Sequence, residues 1–276
     1  MKGINRGYRT GSGSDPPWVR SRPDCLCVRR AEAKQSGRLR TEGRSLPLSV
    51  LSRMTKDALG NNISCVGNGD EVMSAQVKPR YSLEDYFELE LASDERWEWF
   101  NGEVFCMSGV SPEHDQLESN FHLALRLALD DRDCRVFLAD IRIKTPAAPP
   151  YRYGDLSVTC GKPIYEEIGG IKALVNPVLI IEVLSPSTEA YDRGDKFTYY
   201  KSIPSLVEYL LVAQHRPHVS QFIKQSDGTW NQREVNDLAG SLYLPAIDCT
   251  VALSEIYRGI EFAGSKPNLV PPEQLV

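Results

Sequence analysis

Nowhere in its 276 residues does the chain reach the roughly 18 consecutive apolar residues of a membrane-crossing helix. Its longest apolar run, around Pro177 to Leu184, is strand-sized. No apolar segment near the N-terminus leads to a small-residue cleavage site, so secretion is not signalled and the expected compartment is the cytoplasm. No internal repeat is evident. The seven cysteines are odd in number and scattered, which suits buried thiols in a reducing compartment better than a disulfide framework. Cys25-Leu-Cys27 is the one close pair, and without a second Cys or His pair downstream it does not amount to a zinc site.

Basic charge is scarce outside the first segment. Residues 1–60 hold 13 Lys+Arg against 5 Asp+Glu, whereas residues 77–276 hold 19 against 30. The basic part is rich in Arg, Gly and Ser and shows no period of 2 or 3.6, so it cannot bury enough surface to offset its ordering entropy. Residues 1–76 are therefore expected to be a disordered extension and residues 77–276 one domain. The extension reads either as a nucleic-acid-binding arm or, the reading favoured here, as sequence upstream of a true start at Met54 or Met73.

From Tyr81 the pattern is regular. Ser82-Leu-Glu-Asp85 opens a short helix with a capping-box-like start. Apolar runs at 96–100 and 103–108 flank Asn101-Gly102, a strong two-residue hairpin signal. Ser111-Pro112 starts a helix whose Leu117, Phe121, Ala124, Leu125 and Ala128 form one face, ending near Asp131. Strands are expected at 135–144, 153–160 and 178–184, the last apolar at nearly every position and so buried on both faces. A helix at 191–202, stopped by Pro204, precedes a strand at 206–213. Further strands at 219–224 and 229–235 and a short helix at 253–257 look peripheral. The segment between Cys160 and Pro177 reads as a flap-like connection.

Three residues carry candidate chemistry. Asp155 shares a strand face with Ser157 and Thr159. Glu182 is the one charge in the run 178–184, where a carboxylate is costly unless it meets a cation or a metal. Lys196 shares a helix face with Tyr200 and Ile203 and, if that face is inward, needs acidic partners that Asp155 and Glu182 would supply. The bland alternative is a Lys196 directed outward and paired with Asp192.

The order helix, three strands, helix, strand, with Asp, Glu and Lys at these places, resembles the PD-(D/E)XK nuclease superfamily. More narrowly, Trp97-Glu-Trp-Phe-Asn-Gly-Glu103, His114, Gly154-Asp155-Leu-Ser-Val, Leu179 to Thr188, Asp195-Lys196 and Val207-Glu208-Tyr209 together resemble the Uma-type putative restriction endonucleases of bacteria. The resemblance spans about residues 79–262. It implies an α/β (α+β) restriction-endonuclease-like fold, a central mixed β-sheet flanked by helices with an added N-terminal hairpin. It differs from the superfamily pattern in having Gly154 where a Pro precedes the Asp, and Leu184 where the lysine of Glu-x-Lys stands. In the Uma-type family a lysine from the following helix is taken to replace it, and Lys196 matches that position.

The resemblance further implies Mg²⁺ or Mn²⁺ held by Asp155, Glu182 and the Val183 carbonyl, with the two carboxylates roughly 4–6 Å apart. Lys196 would orient the attacking water or stabilise charge at the phosphate, and DNA would be the substrate. His114 and Glu103 are accessory candidates, each with a plain structural alternative: a hydrogen-bonded core histidine and a solvated hairpin glutamate. Tyr199 and Tyr200 read as helix packing, and His215 and His218 as loop. The acidic balance of residues 77–276 opposes duplex binding, which is driven by phosphate neutralisation; bound metal, a homodimer or a local basic strip would offset it. A catalytically degenerate nuclease-fold protein that binds nucleic acid or a partner is the competing reading. A metal-dependent hydrolase of a small phosphorylated substrate is a third. Lys196 turned away from the carboxylates would favour the binding protein.

Overall fold

A computed structural model describes residues 80–107, 109–148 and 150–262. The basic segment 1–76, its boundary, and Cys25, Cys27 and Cys65 lie outside the described residues.

Helix α1 (Leu83–Ala92) starts where Ser82 Oγ accepts from the Asp85 amide and the Asp85 carboxylate accepts from the Ser82 amide. Strands β1 (Trp97–Phe100) and β2 (Glu103–Cys106) form the expected hairpin. Asn101 and Gly102 turn it with φ of 48° and 84°, the left-handed pair that matches strand twist. Helix α2 (Pro112–Ala128) is capped by Ser111, whose Oγ accepts from the His114 amide. Its buried face is Leu117, Phe121 and Leu125, each side chain worth about 1.5–3 kcal/mol of transfer free energy.

The two strands expected at 135–144 and 153–160 each break in two. β3 (Cys134–Leu138) and β6 (Leu156–Cys160) pair in a six-stranded sheet, whereas β4 (Arg142–Lys144) and β5 (Tyr151–Tyr153) pair in a four-stranded one. Together they form one long hairpin that bends between two sheets, with breaks at 139–141 and at Gly154–Asp155. Alternation of side chains predicts each half separately and carries no sign of the bend. The segment read as a flap is a second hairpin, β7 (Tyr165–Ile168) and β8 (Ile171–Leu174), and β8 pairs with β4.

β9 (Leu179–Leu184) is buried at every position, as expected of a central strand. The helical segment after it, α3, begins and ends as α-helix (Glu189–Tyr191, Phe197–Tyr200) and is a π turn in its middle (Asp192–Lys196). β10 (Glu208–Ala213) then lies parallel to β9. β11 (Val219–Lys224) and β12 (Trp230–Val235) extend this sheet, so they belong to its body and are not peripheral; the order is β12-β11-β10-β9-β6-β3. A small hairpin, β13 (Ser241–Leu244) with β14 (Cys249–Ala252), leads into the short helix α4 (Leu253–Ile256).

The six-stranded sheet is covered on both faces. Leu156, Val158, Leu179, Ile181 and Val183 pack with α2 and α4 on one side. Ile180, Leu184, Tyr209 and Leu211 pack with Phe197, Tyr200 and Ile203 of the α3 region on the other. A third cluster, including Tyr86, Trp97, Tyr151 and Tyr153, joins α1 and the β1–β2 hairpin to the smaller sheet. This is the mixed sheet with flanking helices and added hairpin that the sequence implied.

One expectation about cysteine fails. Cys134 and Cys160 face each other in register across β3 and β6 and are joined by a disulfide. A separation of 26 residues conceals a pairing that cross-strand register creates. Cys106 and Cys249 are buried and outside any disulfide, as expected.

Candidate active site

The bend in the long hairpin creates the site. Leu156 lies opposite Ile181 in the β6–β9 ladder, and the ladder stops there because the chain turns away toward β5. Val183 of β9 would otherwise lack a partner on that side. Its N–H donates to Asp155 Oδ2 at 2.7 Å, so the side chain takes the place of a strand acceptor. Val183 therefore meets Asp155 through its amide, a contact separate from the ligand role expected of its carbonyl. Gly154 lies in the same bend: a Cβ there would meet Ile180 Cγ2 at 3.1 Å and Glu182 Oε1 at 3.4 Å.

On the α3 side, Glu182 is fully buried. Lys196 Nζ lies 2.9 Å from its Oε2, and the Tyr200 hydroxyl donates to Oε1 at 3.0 Å. Lys196 also lies 3.4 Å from Asp192 Oδ1. The inward face of Lys196, Tyr200 and Ile203 is as expected, all three being buried. Asp192 does pair with Lys196, but the pair points into the protein, because the π turn carries both side chains toward the sheet. Burial opposes the lysine charge, yet Glu182 and Asp192, with Glu98 and Asp155 beyond, raise its pKa well above the ordinary value. The surrounding carboxylates thus favour the charged form of Lys196. Burial, reinforced by Asp155 and Asp192, pushes Glu182 up in spite of Lys196.

On the α2 side, His114 Nε2 lies 3.3 Å from Asp155 Oδ2. The nitrogen is buried and forms no aligned hydrogen bond. One turn on, Glu118 faces the same place, and ligand-type atoms of His114, Glu118 and Asp155 all fall within 4.8 Å of one another. Burial and the charge of Asp155 raise the Glu118 carboxyl to about 7. Burial would also raise Asp155, but His114, Lys196 and the Val183 amide outweigh it and hold Asp155 below the ordinary value. The Asp155 side chain keeps 20% of its surface open, against 2% for Glu182 and 4% for Lys196.

These observations test whether the residues fit a divalent cation. Two carboxylates, one of them held below its ordinary pKa, are oxygen donors suited to a hard divalent cation, and the buried His114 imidazole beside them adds a donor that Mn²⁺ takes more readily than Mg²⁺. The fit includes Glu118, which the sequence reading missed although it stands four residues after His114 on the same helix face. The sequence reading has Asp192 only as an outward partner of Lys196, and Tyr200 only as helix packing. Glu103 is half-buried at the turn end of β2 and does not belong to the convergent group. The glutamate of that hairpin that reaches inward is Glu98, which accepts from the Tyr153 amide at 2.9 Å and lies 3.8 Å from the buried Arg152. His218 lies in the loop just before β11, as expected, and is buried there, its backbone amide donating to the Tyr257 hydroxyl and its Nε2 lying 3.1 Å from Ser220 Oγ.

Comparison with known proteins places these features in context. Residues 83–254 match the Uma2 family, described as "Putative restriction endonuclease". The uncharacterized protein slr1290 of Synechocystis sp. is 34% identical over 184 residues, 67% of this chain and 95% of that protein. The uncharacterized protein sll1609 of the same organism is 34% identical over 146 residues, 53% of this chain and 82% of its own length. The crystal structure of a putative nuclease belonging to DUF820 from Anabaena variabilis superposes with a TM-score of 0.52 at 15% identity, over 64% of this chain and 97% of that one.

Proposed function

The chain belongs to the Uma2 family of putative restriction endonucleases, and from that premise we propose that it is a Mg²⁺- or Mn²⁺-dependent endonuclease that hydrolyses DNA phosphodiester bonds. The observation that carries this reading is the position of Asp155, which joins a solvent-reaching ligand group to the buried Glu182–Lys196 pair. Asp155, His114 and Glu118 would hold the cation, with Glu182 next to them on the sheet side. The bound ion would supply a water of lowered pKa and neutralise charge on the scissile phosphate.

The chain's own groups account for the remaining work. Asp155 is kept ionised by its Val183 N–H bond and by His114, so it is ready to bind cations at neutral pH. The carboxylate neighbours of Lys196 favour its charged form, which suits it better to an electrostatic role than to that of a base. Its role is a fixed positive charge that orients the Glu182 carboxylate and stabilises negative charge developing at the phosphate. Tyr200 fixes the other Glu182 oxygen. The inward course of Lys196 supports catalysis over the binding-only reading, which predicts a lysine turned away.

The test is cleavage of supercoiled plasmid and of single-stranded DNA with and without Mg²⁺ or Mn²⁺, using the wild type and Asp155→Asn. Cation-dependent cleavage that falls at least 100-fold in the variant is expected. Cleavage indifferent to the cation or to Asp155 would overturn the proposal.

A further inference from the structure

We propose that Gln214 is a positioning residue whose side-chain amide sets which nitrogen of His114 is free to bind a cation. The inference rests on the metal-binding reading of His114.

Gln214 immediately follows β10, at the end of the sheet where Asp155 and the first turn of α2 meet. Its Nε2 lies 3.3 Å from His114 Nδ1, and its Oε1 accepts from Ser111 Oγ at 3.0 Å. Ser111 Oγ in turn accepts from the His114 backbone amide. Both ends of the amide are thus tied to groups that can reverse roles. A hydroxyl donates or accepts, and a neutral imidazole carries one proton on either nitrogen.

In the orientation described, Gln214 Nε2–H donates to Nδ1. The single proton of neutral His114 must then sit on Nε2, the atom that faces Asp155. That form cannot ligate a cation through Nε2, because its lone pair is used by the proton. Turning the amide by 180° puts Oε1 against Nδ1 and Nε2 against Ser111 Oγ. The imidazole proton then belongs on Nδ1, donated to Oε1, and the Nε2 lone pair is free. No proton is gained or lost between the two forms; one proton changes nitrogen, through solvent, as the amide oxygen and nitrogen exchange places. Metal-bound histidines generally donate their second N–H to an acceptor that fixes ring and tautomer. Gln214 is the neighbour able to do this, and Ser111 accommodates either orientation.

Two variants separate the idea from a merely structural role. Gln214→Glu presents only acceptors to Nδ1, and Gln214→Met presents neither donor nor acceptor. The four histidines of the chain allow ¹⁵N spectroscopy of each ring, with His114→Gln assigning the resonance. In metal-free protein, at a pH where His114 is neutral, the wild type should carry its proton on Nε2 and Gln214→Glu on Nδ1. Calorimetric titration with Mn²⁺ should show Gln214→Met binding about 10-fold more weakly than wild type, with Gln214→Glu at least as tight as wild type. An identical tautomer in wild type and Gln214→Glu would overturn the proposal, as would an unchanged Mn²⁺ affinity in Gln214→Met. If the wild type binds no Mn²⁺, the metal reading itself fails, while the tautomer comparison still decides whether Gln214 controls His114.

Discussion

Asp155 stands between two charged clusters that are built from similar residues and behave oppositely. On the α3 side, Glu182, Asp192 and Lys196 are each at most a few percent exposed, and every carboxylate oxygen of Glu182 has a donor. On the α2 side, Glu118 is half-buried, and His114 Nε2 has only the Asp155 carboxylate beside it, at 3.3 Å. The first cluster is closed by its own cation; the second is acidic and only partly buried, and the charges of Lys196 and Arg96 reach it from outside the group. A buried carboxylate must be neutralised from within, whereas one at the rim can await a cation from solution. The pairing of the two through Asp155 is what distinguishes a candidate catalytic centre from an ordinary buried ion pair.

The largest effect that sharpens this contrast comes from Lys196→Met. The sequence alone suggests that folding survives the loss of charge, since methionine keeps most of the stem. The structure gives a different expectation, because Glu182 and Asp192 would be left buried without their cation. The predicted loss is about 3–5 kcal/mol in urea unfolding, with cleavage abolished. Adding Glu182→Gln to Lys196→Met should recover part of that stability, since one uncompensated charge is gone. A single variant as stable as the parent would show that the closed side does not depend on its lysine.

A smaller effect is expected at the bend. In Gly154→Ala the new methyl is tight against Ile180, a β-branched side chain with little freedom to move, and touches Glu182 Oε1. The expected cost is about 1 kcal/mol, with cleavage reduced more than stability because Glu182 is displaced. An alanine variant with full activity would show that the close approach is tolerated by small backbone shifts.

The smallest effect belongs to the open side. Glu118 has a folded-state carboxyl raised to about 7, above its unfolded value, by burial and by Asp155. Such a group favours the folded state below its unfolded pKa and loses that contribution as pH rises through about 7. Glu118→Gln should therefore raise Tm at pH 8 and leave it nearly unchanged at pH 4, below the unfolded pKa, measured without divalent cation. Mg²⁺ at pH 8 should stabilise the wild type more than the variant. A Tm difference of equal size at both pH values would refute the charge argument.

Much of the molecule was legible because local rules and tertiary structure agree. The Ser82 and Ser111 caps, the Asn101-Gly102 turn, the Leu117–Phe121–Leu125 stripe and the fully apolar β9 each follow from their own few residues. Helical spacing put Lys196 on one face with Tyr200 and Ile203 and left open whether that face turned inward. Glu118 was recoverable from its spacing to His114, had that face been read for ligands as well as for packing. Asp192 was weighed only as an outward partner, because the π turn that carries it toward the sheet leaves no mark in the pattern.

The sequence by itself determined the order of elements, the apolar faces that bury them, and the residue types on which the chemistry depends. These follow from side-chain period, capping and the cost of burying charge, all of which act over a few residues. Only the tertiary structure decided where the long hairpin bends, that Cys134 and Cys160 meet across it, and that Asp155 replaces a strand acceptor for Val183. Only it brought Gln214, some 100 positions away, against His114. Those outcomes depend on register between distant strands and on how two sheets share one chain, which no short stretch of residues specifies.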